Sequence, residues 1–222
     1  MDFQAARLAM VESQIRPNAV RDPNILNAFA TLPREGFVPE EQKALAYMDE
    51  AVLAAAGAAD SPPRYLLPPM VLARMLQSAN LSPADRALDV GGATGYSAAV
   101  LAGLCEKVDA LEVSEALAEA TRRNLHAENV EGVTVHVGAL NRGLEARKPF
   151  DFILVNGAIT EEPKELFSQL AEGGRLVAIL RSGWLGRAAL FSKSSGVVSG
   201  RPIFDAGAEY LPGFEPTPQF VF

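Results

Sequence analysis

The sequence feature that most constrains the fold is a glycine-rich turn between an apolar run and a helical segment. Residues 88–96 have the sequence LDVGGATGY. The apolar run at 87–90 predicts a buried strand, and the apolar spacing from Tyr96 to Leu104 predicts a helix. Glycines let the backbone come close to a ligand, and a helix N-terminus offers unpaired N–H donors. This order of elements predicts a nucleotide-binding corner, with an ordinary strand–helix turn as the alternative.

The glycine spacing then separates the classes of nucleotide. The dinucleotide fingerprint G-x-G-x-x-G, counted from Gly91, would need glycines where this chain has Ala93 and Tyr96. Counted from Asp89, an acidic residue is followed by small residues at every second position. That spacing resembles the D/E-x-G-x-G-x-G loop of class I S-adenosylmethionine-dependent methyltransferases, with alanine at the middle glycine. The resemblance implies S-adenosylmethionine as cofactor, bound by the loop residues Asp89, Gly91, Gly92, Ala93, Thr94 and Gly95.

Length and composition fit an ordinary globular protein. A chain of 222 residues suits one α/β domain with an appendage, and 49% of the residues are hydrophobic. The net charge of −7 argues against broad nonspecific nucleic-acid binding. The chain has neither an apolar run of the ~20 residues that a membrane span needs nor a signal-peptide pattern at its start. We expect a cytoplasmic protein that binds neither nucleic acid nor membrane; the oligomeric state stays open.

The chain divides into two parts near residue 80. The first part is expected to be mostly helical, without a convincing strand, and residues 51–63 are expected to form a loop or a frayed helix. The apolar patterns predict its helices at 2–16, 23–32, 40–47 and 68–79. We interpret residues 1–80 as an N-terminal helical extension that acts as a lid, and residues 81–222 as a Rossmann-like cofactor domain.

In the second part strands and helices alternate. Strands are predicted at 87–90, 108–113, 133–137, 150–155, 175–180, 188–191 and 203–204, and helices at 96–104, 115–128 and 164–170. The last two strands lack a helix between them and are expected to pair as an antiparallel hairpin. The predicted fold class is therefore α/β: a doubly wound, mostly parallel seven-stranded Rossmann-like sheet with an antiparallel C-terminal hairpin.

Glu112 is the second candidate for a cofactor contact. It lies 17 residues after Gly95, at the end of the second predicted strand, where a carboxylate can accept both ribose hydroxyls. Val113 belongs to the same predicted contact. The alternative is that Glu112 is an acidic charge at the start of the next helix, which Ser114 could cap.

Two further strand ends belong to the predicted site. Methyltransferases of this class often carry an acidic residue after the third strand, which accepts from the adenine amino group. This chain has Ala139 there, which lacks an acceptor, so that backbone groups or Leu140 would hold the ring. Asn156 follows the fourth strand and either binds cofactor or substrate, or satisfies turn backbone.

No catalytic residue and no metal site are predicted. His126 and His136 have no Cys, Asp or Glu at metal-ligand spacing, and a G-x-S-x-G elbow is missing. Cys105, the single cysteine, ends an apolar helix and is expected to be a buried structural thiol rather than a nucleophile.

Several segments together resemble protein-L-isoaspartate O-methyltransferases, over roughly residues 7–180. The most specific ones lie before the glycine loop, at 10–15 (MVESQI), 22–28 (DPNILNA), 32–40 (LPREGFVPE), 46–49 (AYMD) and 68–73 (PPMVLA). The loop itself with residues 95–102 and the turn at 173–177 also match. The resemblance implies methyl transfer to a carboxylate of damaged aspartyl residues, and therefore a protein or peptide substrate.

The chain departs from that family on the substrate side. The predicted substrate-side residues are Tyr65, Leu66, Pro68 and Met70. The family has a Gln-Thr-Ile-Ser segment here, and Leu66 stands in place of its serine. Near the C-terminus an arginine-containing strand of the family corresponds to residues 202–206, so a substrate carboxylate would meet Leu66 and Asp205, which is unfavourable for a buried charge.

Two alternatives follow from these departures. A divergent relative could bind S-adenosylmethionine and act on another substrate, or could be a non-catalytic binding or regulatory protein. A nicotinamide-dependent oxidoreductase is disfavoured by the glycine spacing and by the lack of a catalytic Tyr-Lys or His set.

Overall fold

The computed structural model describes residues 1–57 and 62–216. The α-helices of this part of the chain are α1 (Phe3–Met10), α2 (Pro23–Thr31), α3 (Pro69–Ala79), α4 (Tyr96–Ala102), α5 (Glu115–Ala127) and α6 (Lys164–Phe167). The strands are β1 (Val52–Ala55), β2 (Arg64–Leu66), β3 (Arg86–Val90), β4 (Lys107–Glu112), β5 (Val133–Val137), β6 (Phe150–Ile159), β7 (Leu170–Ser182), β8 (Leu185–Ser194) and β9 (Val197–Asp205). Among these elements, no helix is long and apolar enough to cross a bilayer.

Seven strands form one sheet in the order β5-β4-β3-β6-β7-β8-β9, which confirms the predicted fold class. The pairs from β5 to β7 are parallel, and β7, β8 and β9 are antiparallel. The final hairpin is longer than predicted, because residues that flank the buried run Ala188–Phe191, such as Arg187 and Lys193, also pair in the ladder. An exposed hairpin of this kind carries polar side chains that resemble a loop in the sequence.

The sheet creates a crevice where the chain reverses its direction of strand addition. From β3 the chain continues to β4 and β5 on one side, and then returns to place β6 on the other side of β3. Ligands of doubly wound sheets bind outside the carboxyl ends of the strands at such a switch point. The crevice here lies beyond Val90 of β3 and Val155 of β6, which are paired neighbours.

The prediction that residues 1–80 lack a strand is wrong. β1 and β2 form a separate two-stranded antiparallel ribbon, with Val52 opposite Leu66. The alanine-rich β1 has low intrinsic strand propensity, and pairing with a distant partner overrides it. The predicted helix at 40–47 is a 3-10 segment, Glu40–Leu45, and residues 58–61 of the predicted loop lie outside the described residues.

Arg34 anchors the ribbon to the glycine corner, which consists of the turn at residues 91–95 and the start of α4. Its side chain is 0% exposed, its Nε donates to Ala46 O at 2.7 Å, and its Nη2 donates to Leu67 O at 2.8 Å. Its guanidinium carbon lies 4.7 Å from the ring centre of Tyr96, which is the first residue of α4. These charge-assisted contacts hold one end of the ribbon, the residues before β1 and after β2, against the glycine corner.

Candidate cofactor site and substrate cavity

The turn after β3 has left-handed backbone at every second residue. The φ angles are +72° at Gly91, +61° at Ala93 and +99° at Gly95. A Cβ on Gly95 would lie 2.8 Å from Cγ2 of Thr121, so the turn also packs tightly on α5. Small residues at this spacing are therefore required by the backbone, and Ala93 holds a conformation that glycine adopts more easily.

Asp89 is buried beneath this loop and organises it. Its Oδ2 accepts a hydrogen bond from Ser97 Oγ at 2.8 Å, and its Oδ1 accepts one from the Asn156 amide. Burial raises the pKa of Asp89 to about 6, and the two donors partly offset that rise. A Cβ on Gly92 would collide with Oδ2 of Asp89, which explains the second glycine. Asn156 thus bonds the loop's carboxylate rather than turn backbone.

Glu112 points into the loop rather than along α5. Its carboxylate is 2% exposed, and its Oε1 accepts the N–H of Ala93. Ser114 caps the helix, with its Oγ accepting from Leu117 N at 3.4 Å. Burial raises the pKa of Glu112 to about 7, against the lowering effect of the Arg64 charge. The carboxylate therefore lies at the position predicted for a ribose contact, turned inward.

Arg64, the first residue of β2, occupies this position together with Glu112. The residue is 4% exposed. Its Nη1 lies 3.4 Å from Glu112 Oε2, and its Nη2 donates to Gly91 O at 2.6 Å. Our sequence analysis did not select Arg64; the signal available was a single charged residue at the start of the apolar segment 64–67.

The side chains of the remaining predicted cofactor residues do not bond to Asp89 or Glu112. The Thr94 hydroxyl donates to Phe37 O and so ties the loop to the N-terminal part. Val113 is half-buried and Ala139 is exposed after β5. Leu140 is buried in the second hydrophobic cluster, in which Leu211 and Phe214 also lie. Around residues 139 and 140, where the adenine ring is predicted to bind, the structure therefore has apolar side chains and backbone groups. It has no carboxylate at residue 139.

Leu211 packs against the glycine turn and the end of β6, beside the switch point between β3 and β6. Its backbone N–H donates to Ala158 O at 3.1 Å, so that the segment after β9 runs beside the end of β6. A Cβ on Gly157 would lie 2.6 Å from Leu211 Cγ, and a Cβ on Gly91 would lie 3.0 Å from its Cδ2. These two glycines therefore make room for Leu211, a residue that the sequence analysis missed because it is far away in the chain.

A cavity of about 420 Å³ opens beside the ribbon and the switch point. The lining includes Arg64, Tyr65, Leu66, Asn156, Arg181, Trp184, Glu209 and Tyr210. The structure thus brings the predicted Tyr65 and Leu66 together with Asn156. Pro68 and Met70 are not among the lining residues; Pro68 precedes α3, and the Met70 N–H donates to Asp49 Oδ1 at 3.2 Å.

The expectation that Asp205 faces the substrate is wrong. Its exposed carboxylate pairs with Arg187 Nε at 2.9 Å on the hairpin, and it does not line the cavity. Arg181 lines the cavity instead, with its Nη1 donating to Ala208 O at 2.8 Å and its guanidinium 4.8 Å from the Tyr210 ring centre. The β8–β9 register places Asp205 opposite Arg187, and the β7–β8 register places Arg181 opposite Gly186; the sequence pattern defined neither register.

The cysteine and the histidines lie away from this site. Cys105 is a buried free thiol whose pKa burial raises to about 12, which disfavours a nucleophilic role. His136 Nε2 lies 2.6 Å from Asp109 Oδ1 and is part of a side-chain cluster with Arg147. Within residues 1–57 and 62–216, no three His, Cys, Asp or Glu side chains are grouped to hold a metal ion.

Comparisons with known proteins agree with this geometry. The family profile described as protein-L-isoaspartate(D-aspartate) O-methyltransferase matches residues 5–205. A protein-L-isoaspartate O-methyltransferase of Roseiflexus sp. is 40% identical over 177 residues, 80% of this chain and 78% of the relative. One of Koribacter versatilis is 39% identical over 175 residues, 79% of this chain and 76% of the relative.

Solved structures support the fold. A protein-L-isoaspartate O-methyltransferase structure has a TM-score of 0.82 at 24% identity, over 95% of this chain and 66% of its own. A Plasmodium falciparum structure, described as a β-aspartate methyltransferase in complex with S-adenosyl-L-homocysteine, has a TM-score of 0.76 at 20% identity, over 91% and 96% of the two chains. The profile match over most of the sequence, joined to the glycine loop and its buried acidic partner, shows that the chain belongs to the protein-L-isoaspartate(D-aspartate) O-methyltransferase family.

Proposed function

We propose that the chain is an S-adenosylmethionine-dependent O-methyltransferase that methylates a carboxylate of damaged aspartyl residues in proteins. The observation that carries this proposal is the left-handed glycine loop, with buried Glu112 beside it, opening at the switch point next to a cavity of about 420 Å³. That volume is within the usual range of small-molecule sites, roughly 300–1,000 Å³. The family relationship supports the same activity.

The loop residues fit the cofactor in backbone and in chemistry. When bound, S-adenosylmethionine supplies a methyl group on a sulfonium leaving group. Gly91, Ala93 and Gly95 would let the backbone follow its amino-acid part, and Glu112 would accept from its ribose hydroxyls. Asp89 and Asn156 hold the loop in shape from below.

The substrate carboxylate is itself the nucleophile, so no general base is required. The task of the chain is then to position the carboxylate and to exclude water. The cations that line the cavity are Arg64 and Arg181. We assign reception of the anionic substrate to Arg181, because Arg64 is turned toward the buried Glu112, whereas the carboxylate that lies 3.7 Å from Arg181 Nη1, that of Glu209, is exposed to solvent. Tyr65 and Leu66 would line the same side, and Leu66 offers no hydroxyl there.

The proposal has consequences for partners and location. A protein or peptide substrate is expected, whereas nucleic acid and membrane are not, since the charge of −7 repels phosphate surfaces. A cytoplasmic location and the lid role of residues 1–80 are parts of the same proposal. Both Phe37 and the β1–β2 ribbon connect that lid to the cofactor loop, through Phe37 O and Arg64.

The alternative function is a divergent relative that binds S-adenosylmethionine but acts on another substrate or on none. Leu66 in the cavity wall favours it, because a buried leucine gives no hydrogen bond to an anionic substrate.

The test is transfer of a radiolabelled methyl group from S-adenosylmethionine to an isoaspartyl peptide. The matched control is the same peptide with normal aspartate. We expect label in the isoaspartyl peptide only. Cofactor binding without transfer to either peptide would reject isoaspartate as substrate and leave the divergent relative.

A further inference from the structure

Arg64 makes the contacts that a cofactor would need at this end of the site. Its guanidinium lies 3.4 Å from Glu112 Oε2 and donates to Gly91 O at 2.6 Å. With Ala93 N–H on Oε1, both carboxylate oxygens already have protein donors. A ribose hydroxyl would therefore meet a carboxylate that already bonds within the chain and is covered by those partners, although each oxygen keeps a further lone pair.

The Arg64–Glu112 pair is almost inaccessible to water, so Arg64 would compete strongly with a ligand for the Glu112 carboxylate. The side chains of Arg64 and Glu112 are 5% and 2% exposed. In such surroundings a charge-assisted contact is little screened by solvent. A ligand that takes over the carboxylate must therefore separate a buried ion pair, and the guanidinium has to find water or a new partner.

We infer that Arg64 is an intramolecular competitor for Glu112, so that the cofactor binds only when the β1–β2 ribbon withdraws this arginine. The inference rests on the proposed cofactor. It assigns to Arg64 control over cofactor affinity rather than a catalytic role.

The architecture allows this withdrawal without disruption of the main sheet. β1 and β2 have four and three residues, and within the described part of the chain they pair only with each other. Their pairing contains a register irregularity between Leu53 and Ala55. Ribbons of this size are only marginally stable alone. Arg34 holds the carboxyl end of β2 through Leu67 O, which leaves Arg64 at the opposite end of the strand.

The experiment is calorimetric titration of S-adenosylmethionine and S-adenosylhomocysteine into the wild type and into Arg64→Ala. The matched control is Arg16→Ala, which removes an arginine whose pair with Glu12, at 3.0 Å, lies on the surface. We expect Arg64→Ala to bind both compounds at least about tenfold more tightly than the wild type, by similar factors, because each of them has to separate the same buried pair in the wild type. Arg16→Ala should bind like the wild type.

Unchanged or weaker binding by Arg64→Ala, with measurable binding by the wild type, would overturn the inference and leave the proposed cofactor intact. Absence of binding in every variant would instead reject the cofactor, and the inference with it. Circular dichroism checks the fold of each variant. If Arg64→Ala does not fold, Arg64→Met replaces it, because methionine keeps the apolar stem without the charge and should show the same direction of change.

Discussion

The glycine corner and the β1–β2 ribbon face each other across the Arg64–Glu112 pair, and their sequences determine them in different ways. The corner is set locally: left-handed backbone at Gly91, Ala93 and Gly95 requires small residues there. The ribbon is set by distant partners, Arg34 at its base and Glu112 at its far end. The corner can thus keep the family's shape while one side chain of the ribbon changes what the corner can bind.

The largest expected effect concerns the anchor of the ribbon. Arg34→Met removes the donors to Ala46 O and Leu67 O and leaves both carbonyls buried. We expect a loss of about 4 kcal/mol in the free energy of unfolding, since hydrogen bonds to charged groups contribute about 1.5–3 kcal/mol each. Urea denaturation measures this change. The exposed Arg16→Met should lose less than about 0.5 kcal/mol, and a similarly small loss for Arg34→Met would show that the ribbon is held elsewhere.

The second-largest expected effect is the pH dependence of the unfolding free energy, which depends on Asp89 beneath the glycine corner. The pKa of Asp89 is about 6 in the folded chain, above the usual 3.8, so the folded state binds more protons between these values. The stability from the protonated form is fully present below about pH 4 and is lost as the pH rises through about 6.

We therefore expect the unfolding free energy of the wild type to fall by about 3 kcal/mol more than that of Asp89→Asn between pH 3 and 7. Urea denaturation series at several pH values give both curves. Parallel curves for the two proteins would contradict the burial that raises this pKa.

A smaller effect separates backbone strain from packing in the corner. Gly95→Ala places a Cβ 2.8 Å from Thr121 Cγ2 in left-handed backbone, and should cost about 2–3 kcal/mol. Gly173→Ala has a similar φ of +78° with open space around the new Cβ, and should cost only about 1 kcal/mol. Thermal unfolding compares them, and equal losses would mean that α5 does not press on the loop.

The smallest effect on stability belongs to the cavity rim. Trp184 is 97% exposed and lines the cavity at the tip of the β7–β8 hairpin. Trp184→Ala should change the unfolding free energy by less than about 0.5 kcal/mol and raise the KM for an isoaspartyl peptide about fivefold, through lost contact area. Val197→Ala, an exposed residue of the other hairpin tip, is the control. An unchanged KM would remove Trp184 from the substrate side.

The features that could be predicted from the sequence are the ones that local sequence determines, as in the glycine corner. The strand, turn and helix around Gly91 and the position of Glu112 could be derived, because periodicity and glycine spacing are local properties. Strand β1 was missed because its alanines acquire strand conformation only by pairing with β2. Leu211 and Arg181 were missed because a hairpin register and a long return of the chain bring them to the crevice.

Asp205 and Arg64 both show that the sequence did not define side-chain partners: one residue was placed wrongly and the other was missed. The sequence placed Asp205 opposite the substrate, and the ladder between β8 and β9 turns it outward to Arg187. Arg64 carried no motif, and its role depends on which carboxylate it meets. Side-chain partners across distant elements are therefore the part of a site that single-sequence reasoning predicts least.

The most direct test of the central claim is a crystal structure of this chain with S-adenosylhomocysteine. If Arg64 competes for Glu112, the ribose hydroxyls will bond to the Glu112 carboxylate, and the Arg64 guanidinium will lie beyond hydrogen-bond distance of it. A complex in which the ligand is bound while Arg64 keeps its 3.4 Å contact with Glu112 and its bond to Gly91 O would contradict the account.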